Sequence, residues 1–173
     1  MKLTVIGAGN MGGALIKGWA KSGKVESITI ADKNETLLNQ FKTEYPSINI
    51  TTDNIAAVKG ADVVVLVVKP WLMKLVLEEV RPVLDLKKQI IVSDAANFTT
   101  GMLEEQLAQS GQFFYVIPNI AAEFGASMSF IAKGKDTTDE SVKTLEGLYA
   151  LVGDTLVVEE QAKIGRASCR ERV

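Results

Sequence analysis

The chain has 173 residues, 47% of them hydrophobic, which suits one globular domain with a packed core. Its 19 Lys and Arg against 21 Asp and Glu give a net charge of −2, and without a long basic run this argues against a nucleic-acid partner. Histidine is absent and Cys169 is the one cysteine, which excludes an internal disulfide, Ser-His-Asp or Cys-His catalysis and the usual metal sites, so no metal is expected.

The first elements along the chain follow the order strand, turn, helix, strand. Residues 3–6 form a short aliphatic run ahead of a glycine-rich loop, and apolar residues then recur at helical spacing over residues 10–21. The run SITIA at Ser27–Ala31 predicts a second strand, and the polar DKNET precedes a helix that extends to about Phe41. A βαβ unit of ordinary length is therefore expected at the start of the chain.

The run VVVLVV at residues 63–68 is apolar at every position, which is typical of a parallel strand buried on both faces. Lys69 and Pro70 end it. A further strand is predicted before it at residues 48–51, with a short helix starting near Asn54. A membrane helix needs roughly 20 apolar residues, far more than this run provides, so no membrane span is expected.

The second half of the chain continues the alternation of strands and helices. Predicted helices lie at residues 71–80 and 100–110, and predicted strands at residues 89–93, 113–117, 128–132 and 156–158. Thr137 and Glu140 predict a capping box for a last helix, with Gly153 as its C-terminal stop. The sequence predicts one α/β domain over residues 1–161, a doubly wound, mostly parallel sheet of the Rossmann type with helices on both faces.

The stretch VIGAGNMGG contains Gly7, Gly9 and Gly12 in G-x-G-x-x-G order between the first strand and the first helix. This is the context that a dinucleotide-binding loop requires. Gly7 would allow the tight turn, Gly9 would let the backbone approach a pyrophosphate, and Gly12 would permit close packing of helix on strand. A glycine-rich turn without a ligand is the alternative.

Asp32 ends the second strand about 20 residues after Gly12, where an acidic side chain accepts hydrogen bonds from the adenosine ribose. This position favours NAD. Lys33 and Asn34 follow, however, and would neutralise a 2′-phosphate if Asp32 turned away, so NADP stays open. An N-cap role is the alternative for Asp32.

Four segments in this order, IGAGNMGGA, VVVLVVKP, SDAAN and VIPNIAAEFGASMSFIAKG, carry a family resemblance. With them the chain resembles the N-terminal domain of pyrroline-5-carboxylate reductase, the last enzyme of proline biosynthesis, over residues 1–161. The resemblance implies a reduced cofactor, NADP or NAD, and hydride transfer to the C=N carbon of 1-pyrroline-5-carboxylate to give L-proline. Because a protonated imine is already electrophilic, positioning carries most of the catalysis and no catalytic residue is assigned.

The resemblance also implies which residues contact the cofactor. The pyrophosphate would lie on the glycine loop, the adenosine end near Asp32, Lys33 and Asn54, and the nicotinamide near the remaining segments. The full set is Ile6, Gly7, Ala8, Gly9, Asn10, Met11, Gly12, Asp32, Lys33, Asn54, Val67, Val68, Lys69, Pro70, Ala95, Ala96, Asn97 and Asn119. Taken singly, Asn54 also suits a helix N-cap and Pro118-Asn119 a turn.

Three positions depart from the family pattern. The chain has Ala-Ala-Asn, ending at Asn97, where family members commonly have Ala-Ala-Gly. It has Tyr115 where they commonly have an Arg, and Ile120 after Asn119 where they commonly have a Thr after the Asn. Two alternatives to the reductase stay open: a non-catalytic NAD(P)-sensing module that acts through a protein partner, and another Rossmann imine or β-hydroxyacid reductase.

The end of the chain departs from the family altogether. The resemblance implies a second, helical domain that forms the homo-oligomer and much of the substrate pocket, and that domain is expected to be missing. Residues 162–173 are expected to be a non-native tail, with a real basic tail as the alternative. Loss of the second domain is expected to leave an apolar patch, which is a liability for association. With no signal peptide in the sequence, a cytoplasmic location is expected, with 1-pyrroline-5-carboxylate as the small-molecule partner.

Overall fold

The computed structural model describes residues 1–158, and the predicted tail, residues 162–173, lies outside the described residues. The strands are β1 Lys2–Ile6, β2 Ser27–Ala31, β3 Asn49–Thr51, β4 Val63–Leu66, β5 Ile90–Ser93, β6 Gln112–Ile117, β7 Ser127–Lys133 and β8 Gly153–Val158. The α-helices are α1 Asn10–Ser22, α2 Glu35–Glu44, α3 Asn54–Val58, α4 Met73–Val80, α5 Thr100–Leu107 and α6 Asp139–Ala150. Short 3-10 helices lie at Pro70–Leu72, Arg81–Val83 and Ile120–Phe124.

The strands form one sheet in the order β3-β2-β1-β4-β5-β6-β7-β8, in which β1 to β6 are parallel. From β1 the chain builds outward to β3, and it then returns to place β4 on the other side of β1. In sheets of this kind ligands bind beyond the carboxyl ends of the strands, at the point where the order reverses. The predicted fold class, a doubly wound and mostly parallel α/β sheet, is confirmed.

Helices cover both faces of the sheet, with α1, α2 and α6 on one face and α3, α4 and α5 on the other. In β4, Val63 and Val65 belong to the first core, whereas Val64 and Leu66 belong to the second. Because both faces are covered, every side chain of this strand is apolar and fully buried. The strand ends at Leu66, earlier than predicted. The chain then enters the ligand edge, which is the side of the sheet where the parallel strands have their carboxyl ends.

The last part of the sheet differs in direction from the rest. β7 pairs antiparallel with β6, because a single 3-10 turn, Ile120–Phe124, joins them in place of a crossover helix. β8 then pairs parallel with β7 after the α6 crossover. Thr138 caps α6 and accepts a hydrogen bond from Ser141 N, so the predicted cap at Thr137 is wrong by one residue.

Gly153 is not the stop of α6, as predicted, but the first residue of β8. Its φ of 147° lies outside the range that side-chain-bearing residues favour, and a Cβ there would collide with the backbone of Ser127. The helix ends at Ala150 instead, with Leu151 as the capping residue. The glycine is therefore required by strand pairing, not by helix termination.

Trp19 of α1 ties the first helix to α6. It is fully buried, its Nε1 donates to the Leu148 carbonyl at 2.9 Å, and its ring meets Tyr149 edge to face at 5.4 Å. This packing fixes Tyr149 beneath the ligand edge of the sheet. Within residues 1–158, no helix has the length and apolar character of a bilayer span.

Candidate functional site

A groove of about 600 Å³ lies at the carboxyl ends of β1, β2, β4 and β5. It brings together most of the residues that the sequence predicts to contact a cofactor. These are Ile6, Gly7, Gly9, Asn10, Met11, Asp32, Lys33, Asn54, Val67, Val68, Lys69, Pro70, Ala95 and Ala96. Residues more than 80 positions apart in the chain, such as Ile6 and Ala95, thus line the same groove. It lies beyond the carboxyl ends of the strands, where open α/β sheets bind their ligands.

The three glycines of the loop have different structural reasons. Gly7 has a φ of 100°, and a Cβ there would lie 2.5 Å from the Val67 carbonyl oxygen. A Cβ on Gly12 would collide with the Gly7 carbonyl oxygen. Gly9, in contrast, has a φ of −63° and would place a Cβ in open space, since no atom of residues 1–158 other than those of Gly9 and its two chain neighbours comes within 4 Å of it. Packing within the protein explains why residues 7 and 12 are glycine. It does not explain Gly9, for which space for a ligand is the explanation that we infer.

Asp32 holds the glycine loop in place. Its Oδ2 accepts a hydrogen bond from Ala8 N at 2.8 Å, and its Oδ1 accepts one from Asn34 N at 2.9 Å. The N-cap of α2 is Asn34, whose side chain accepts from Leu37 N, so the N-cap alternative for Asp32 is wrong. The Asp32 carboxylate therefore contacts the glycine loop, which is the segment that would bind the pyrophosphate.

Asn54 is 3% exposed, and its Nδ2 donates to Glu79 Oε2 at 2.8 Å. The N-cap of α3 is Asp53, whose carboxylate accepts from Ile55 N and Ala56 N, so the N-cap alternative for Asn54 is also wrong. The side chain of Asn54 is therefore available to line the groove, which the capping role would have prevented.

The segment after β4 crosses the middle of the groove. Val67 N donates to the Ile6 carbonyl at 2.8 Å, and Asp94 N donates to the Leu66 carbonyl at 2.9 Å. These bonds extend the sheet ladder by one step on each side, so that Val67 to Pro70 and Asp94 to Ala96 lie side by side. A flat ring such as nicotinamide would find an apolar floor there, formed by Val67, Val68 and Ala95.

Asp94 lies at this end of the groove and is bound from below by Tyr149. The phenol oxygen is 2.9 Å from both carboxylate oxygens and donates its proton to them. Burial raises the pKa of Asp94 well above its ordinary value, and the Tyr149 hydrogen bond lowers it by a smaller amount. Burial also raises the pKa of the Tyr149 phenol, as does the nearby carboxylate. Each shift makes the neutral form of its group more favourable than it is in water.

Asp94→Asn tests this electrostatic account. Between the ordinary pKa and the raised pKa the folded protein holds a proton that the unfolded chain has lost, so Asp94 lowers stability as pH rises through that window. We expect the Tm of the variant minus that of wild type to be larger at pH 8 than at pH 5. Thermal unfolding followed by circular dichroism measures it.

The matched control is Asp154→Asn, which removes an exposed carboxylate on β8. Its difference from wild type gives the baseline with which the Asp94→Asn difference is compared. An Asp94→Asn variant whose difference changes with pH no more than that of this control would contradict the raised pKa of Asp94.

Two of the departures from the family pattern, Asn97 and Tyr115, contact each other. Asn97 has a φ of 60°, a left-handed conformation that glycine and asparagine tolerate best, and its N–H donates to the Tyr115 hydroxyl at 3.1 Å. The loop after β5 is thus anchored on β6 by a neutral hydrogen bond. Asn97 itself is not among the residues that line the groove.

Ala8, Gly12 and Asn119 are the other predicted contacts that do not line this groove. The Ala8 N–H is bound by Asp32, and Gly12 is buried in the packing of α1. Asn119 caps the 3-10 helix Ile120–Phe124, with Oδ1 accepting from Ala121 N at 3.0 Å, which matches the turn alternative for this residue. Ile120, the next residue, lines the groove in its place.

The sequence reasoning missed the wall formed by α4 and the turn before it. Leu72, Leu75, Val76 and Glu79 line the groove and recur at helical spacing along one side of this segment. That spacing was visible in the sequence, but only the fold shows that this side faces the ligand edge. Leu75 and Ile120 are 63% and 66% exposed, so the groove has an apolar rim. Residues 1–158 contain no cluster of three or more Cys, Asp or Glu suited to a metal ion.

Comparison with known proteins agrees with this geometry. A profile of the family described as "NADP oxidoreductase coenzyme F420-dependent" matches residues 2–97. Pyrroline-5-carboxylate reductase of Methanosarcina acetivorans is 34% identical over 161 residues, which cover 92% of this chain and 59% of that protein. The corresponding protein of Corynebacterium melassecola is 32% identical over 161 residues, again 59% of its length. The chain thus spans less than two thirds of the relatives it matches.

Solved structures show the same relationship. A pyrroline-5-carboxylate reductase from Coxiella burnetii is 26% identical and superposes with a TM-score of 0.90, covering 97% of this chain and 62% of that one. The Plasmodium falciparum pyrroline carboxylate reductase with NADP bound is 21% identical, with a TM-score of 0.80 and coverage of 98% and 64%, and supports the fold. The resemblance predicted from the sequence motifs is confirmed.

Proposed function

The chain belongs to the family described as "NADP oxidoreductase coenzyme F420-dependent", and on that premise we propose that it is the cofactor-binding part of an NAD(P)H-dependent pyrroline-5-carboxylate reductase. One observation carries the proposal. A single groove at the strand ends is lined by the glycine loop, the Asp32 and Lys33 pair, Asn54, the Val67–Pro70 segment and the Asp94–Ala96 segment.

The pyrophosphate would bind at the N-terminus of α1. Gly9 is the N-cap of this helix, and because glycine has no side chain it leaves the first N–H groups open to an anion. The helix dipole adds a positive partial charge there, and the first turn contains no acidic residue. The adenosine ribose would then lie beside Asp32, Lys33 and Asn54, and the nicotinamide over Val67 to Pro70 beside Asp94 to Ala96.

The reduced nicotinamide would supply a hydride to the C=N carbon of 1-pyrroline-5-carboxylate, and with a proton on the ring nitrogen the product is L-proline. The chain's part in this is to hold the dihydronicotinamide against the apolar floor and to leave one ring face open. No residue of the groove is assigned as an acid or base. This agrees with a reaction whose substrate is activated by its own protonation.

Further parts of the function come from the resemblance. We propose that substrate binding and self-association use a helical domain in addition to residues 1–161, with residues 162–173 not part of it. The substrate is a small molecule, and the location that suits the pathway is the cytoplasm. Trp71 is 75% exposed and lies in the chain between the groove residues Pro70 and Leu72, so it suits contact with such a domain.

A chimera tests the proposal. Residues 1–161 are joined to the part of the Methanosarcina acetivorans relative that this chain does not match, and proline formation from 1-pyrroline-5-carboxylate is measured with NADH and NADPH. We expect the chimera to form proline and the 173-residue chain alone to bind dinucleotide with little or no turnover.

The intact relative is the positive control, and a panel of imines and β-hydroxyacids tests the substrate class. A folded chimera that binds NAD(P)H yet forms no proline, while the intact relative does, would overturn the reductase assignment. Turnover of a β-hydroxyacid in preference to the imine would replace it with the alternative reductase.

A further inference from the structure

Glu79 was not predicted from the sequence as a site residue, yet it lies at the adenosine end of the groove. Its Oε2 accepts the hydrogen bond from buried Asn54, and its Oε1 lies 3.7 Å from Lys33 Nζ. The Glu79 side chain is 31% exposed and the Lys33 side chain 70%. The carboxylate is therefore fixed by Asn54 and lines the groove, whereas the lysine is the more exposed partner of the pair.

Lys33 also lines the groove, and two oxygens lie close to its ammonium group. Its Nζ forms the ion pair with Glu79 and donates a hydrogen bond to the Thr52 carbonyl at 3.0 Å. Lys33 directly follows Asp32, the position that reads the adenosine ribose in Rossmann folds. The cation best placed to meet a 2′-phosphate is therefore paired with a carboxylate that lines the same groove.

Asp32 supplies one fixed carboxylate at this end, because both of its oxygens accept backbone N–H groups, one from the glycine loop and one from Asn34. Each oxygen keeps a lone pair for a ribose hydroxyl, but the carboxylate cannot swing away without releasing the loop. Glu79 supplies a second carboxylate at this end, anchored by a different residue.

We propose that Glu79 sets the selectivity between NADH and NADPH by disfavouring the 2′-phosphate. The phosphate carries about two negative charges at neutral pH, so it is repelled by Glu79 and must compete with it for Lys33. The 2′-hydroxyl of NADH has no such conflict and donates to a carboxylate. This inference rests on the proposed binding of NAD(P)H in the groove and concerns the ratio of the two affinities, not their absolute values.

Glu79→Gln tests the proposal, because glutamine keeps an oxygen to accept the Asn54 hydrogen bond and removes the charge. Titrations of the purified chain with NADPH and with NADH, by calorimetry, give both Kd values. We expect the ratio of the NADPH Kd to the NADH Kd to fall roughly tenfold, and the fall to be smaller at high salt. The matched control is Glu78→Gln on the same helix, whose side chain contacts Gln106 outside the groove and whose ratio should equal that of wild type.

Lys33→Gln provides a second test at an exposed position that does not threaten folding. Alone, Lys33→Gln should raise the ratio of the NADPH Kd to the NADH Kd. In the double variant with Glu79→Gln, most of the fall in that ratio should disappear, because the lysine that Glu79→Gln would free is absent. A Glu79→Gln ratio within twofold of wild type, with both dinucleotides binding, would overturn the selectivity role and leave the proposed function intact. Wild-type chain that binds neither dinucleotide would overturn the proposed function itself.

Discussion

Gly9→Ala leaves the protein folded but weakens the binding of NADPH and NADH at least about tenfold, a loss of about 1.4 kcal/mol. The new methyl group meets no protein atom within 4 Å, and the φ of −63° suits alanine, so the fold has no reason to change. The methyl occupies the space through which the backbone would approach the pyrophosphate. Calorimetric titration measures the Kd, and thermal unfolding measures the stability.

Gly101→Ala is the matched control. Gly101 also lies at the start of a helix, the nearest atom to a Cβ there is Thr99 Oγ1 at 3.9 Å, and it does not line the groove. This variant should bind both dinucleotides as wild type does. A Gly9→Ala variant with unchanged Kd values and unchanged Tm would mean that the pyrophosphate does not approach the backbone at Gly9.

Gly7→Ala should have the opposite signature, a large loss of stability of about 3 kcal/mol. Its φ of 100° is strained for alanine, and the methyl would lie 2.5 Å from the Val67 carbonyl oxygen and 2.8 Å from the carbonyl carbon. Both atoms belong to the backbone that extends the ladder beside β1, so they cannot move away without breaking it. Urea unfolding monitored by tryptophan fluorescence gives the free energy of unfolding.

Gly60→Ala separates strain from collision. Gly60 has a φ of 73° but no atom of the described chain within 4 Å of a Cβ, so alanine there should cost only about 1–2 kcal/mol. If Gly7→Ala and Gly60→Ala were equally destabilising, the close approach between Gly7 and Val67 would have no energetic role.

The fold was predictable because its signals are local and repeated. The apolar run of β4 indicated burial on both faces, and the change from strand to helical spacing around the glycine loop located β1 and α1. The direction of β7 was not predicted, because it depends on how the chain returns after Asn119. A short 3-10 turn returns it antiparallel, and no composition signal distinguishes that turn from the start of a crossover helix.

The candidate site was predictable where its residues end strands, as at Asp32, Val67 and Ala95, since parallel strands bring their carboxyl ends to one edge. It was not predictable where side chains meet across helices. The bonds of Glu79 to Asn54 and of Tyr149 to Asp94 join residues far apart in sequence. Sequence could flag Asn97 and Tyr115 as departures, but only the fold shows that they bind each other.

An NMR titration of backbone amide shifts with NADPH and NADH tests most directly whether NAD(P)H binds in the groove at the strand ends. A second groove, of about 740 Å³, shares Gly9 and Asn10 with the first, and Leu37, Gln40 and Glu44 line only the second. We expect saturable shifts at residues 7–12, at Lys33 and Asn54 and at residues 67–69, with Leu37, Gln40 and Glu44 unchanged. Shifts confined to the second groove, or no shifts at saturating dinucleotide, would contradict binding at the strand ends.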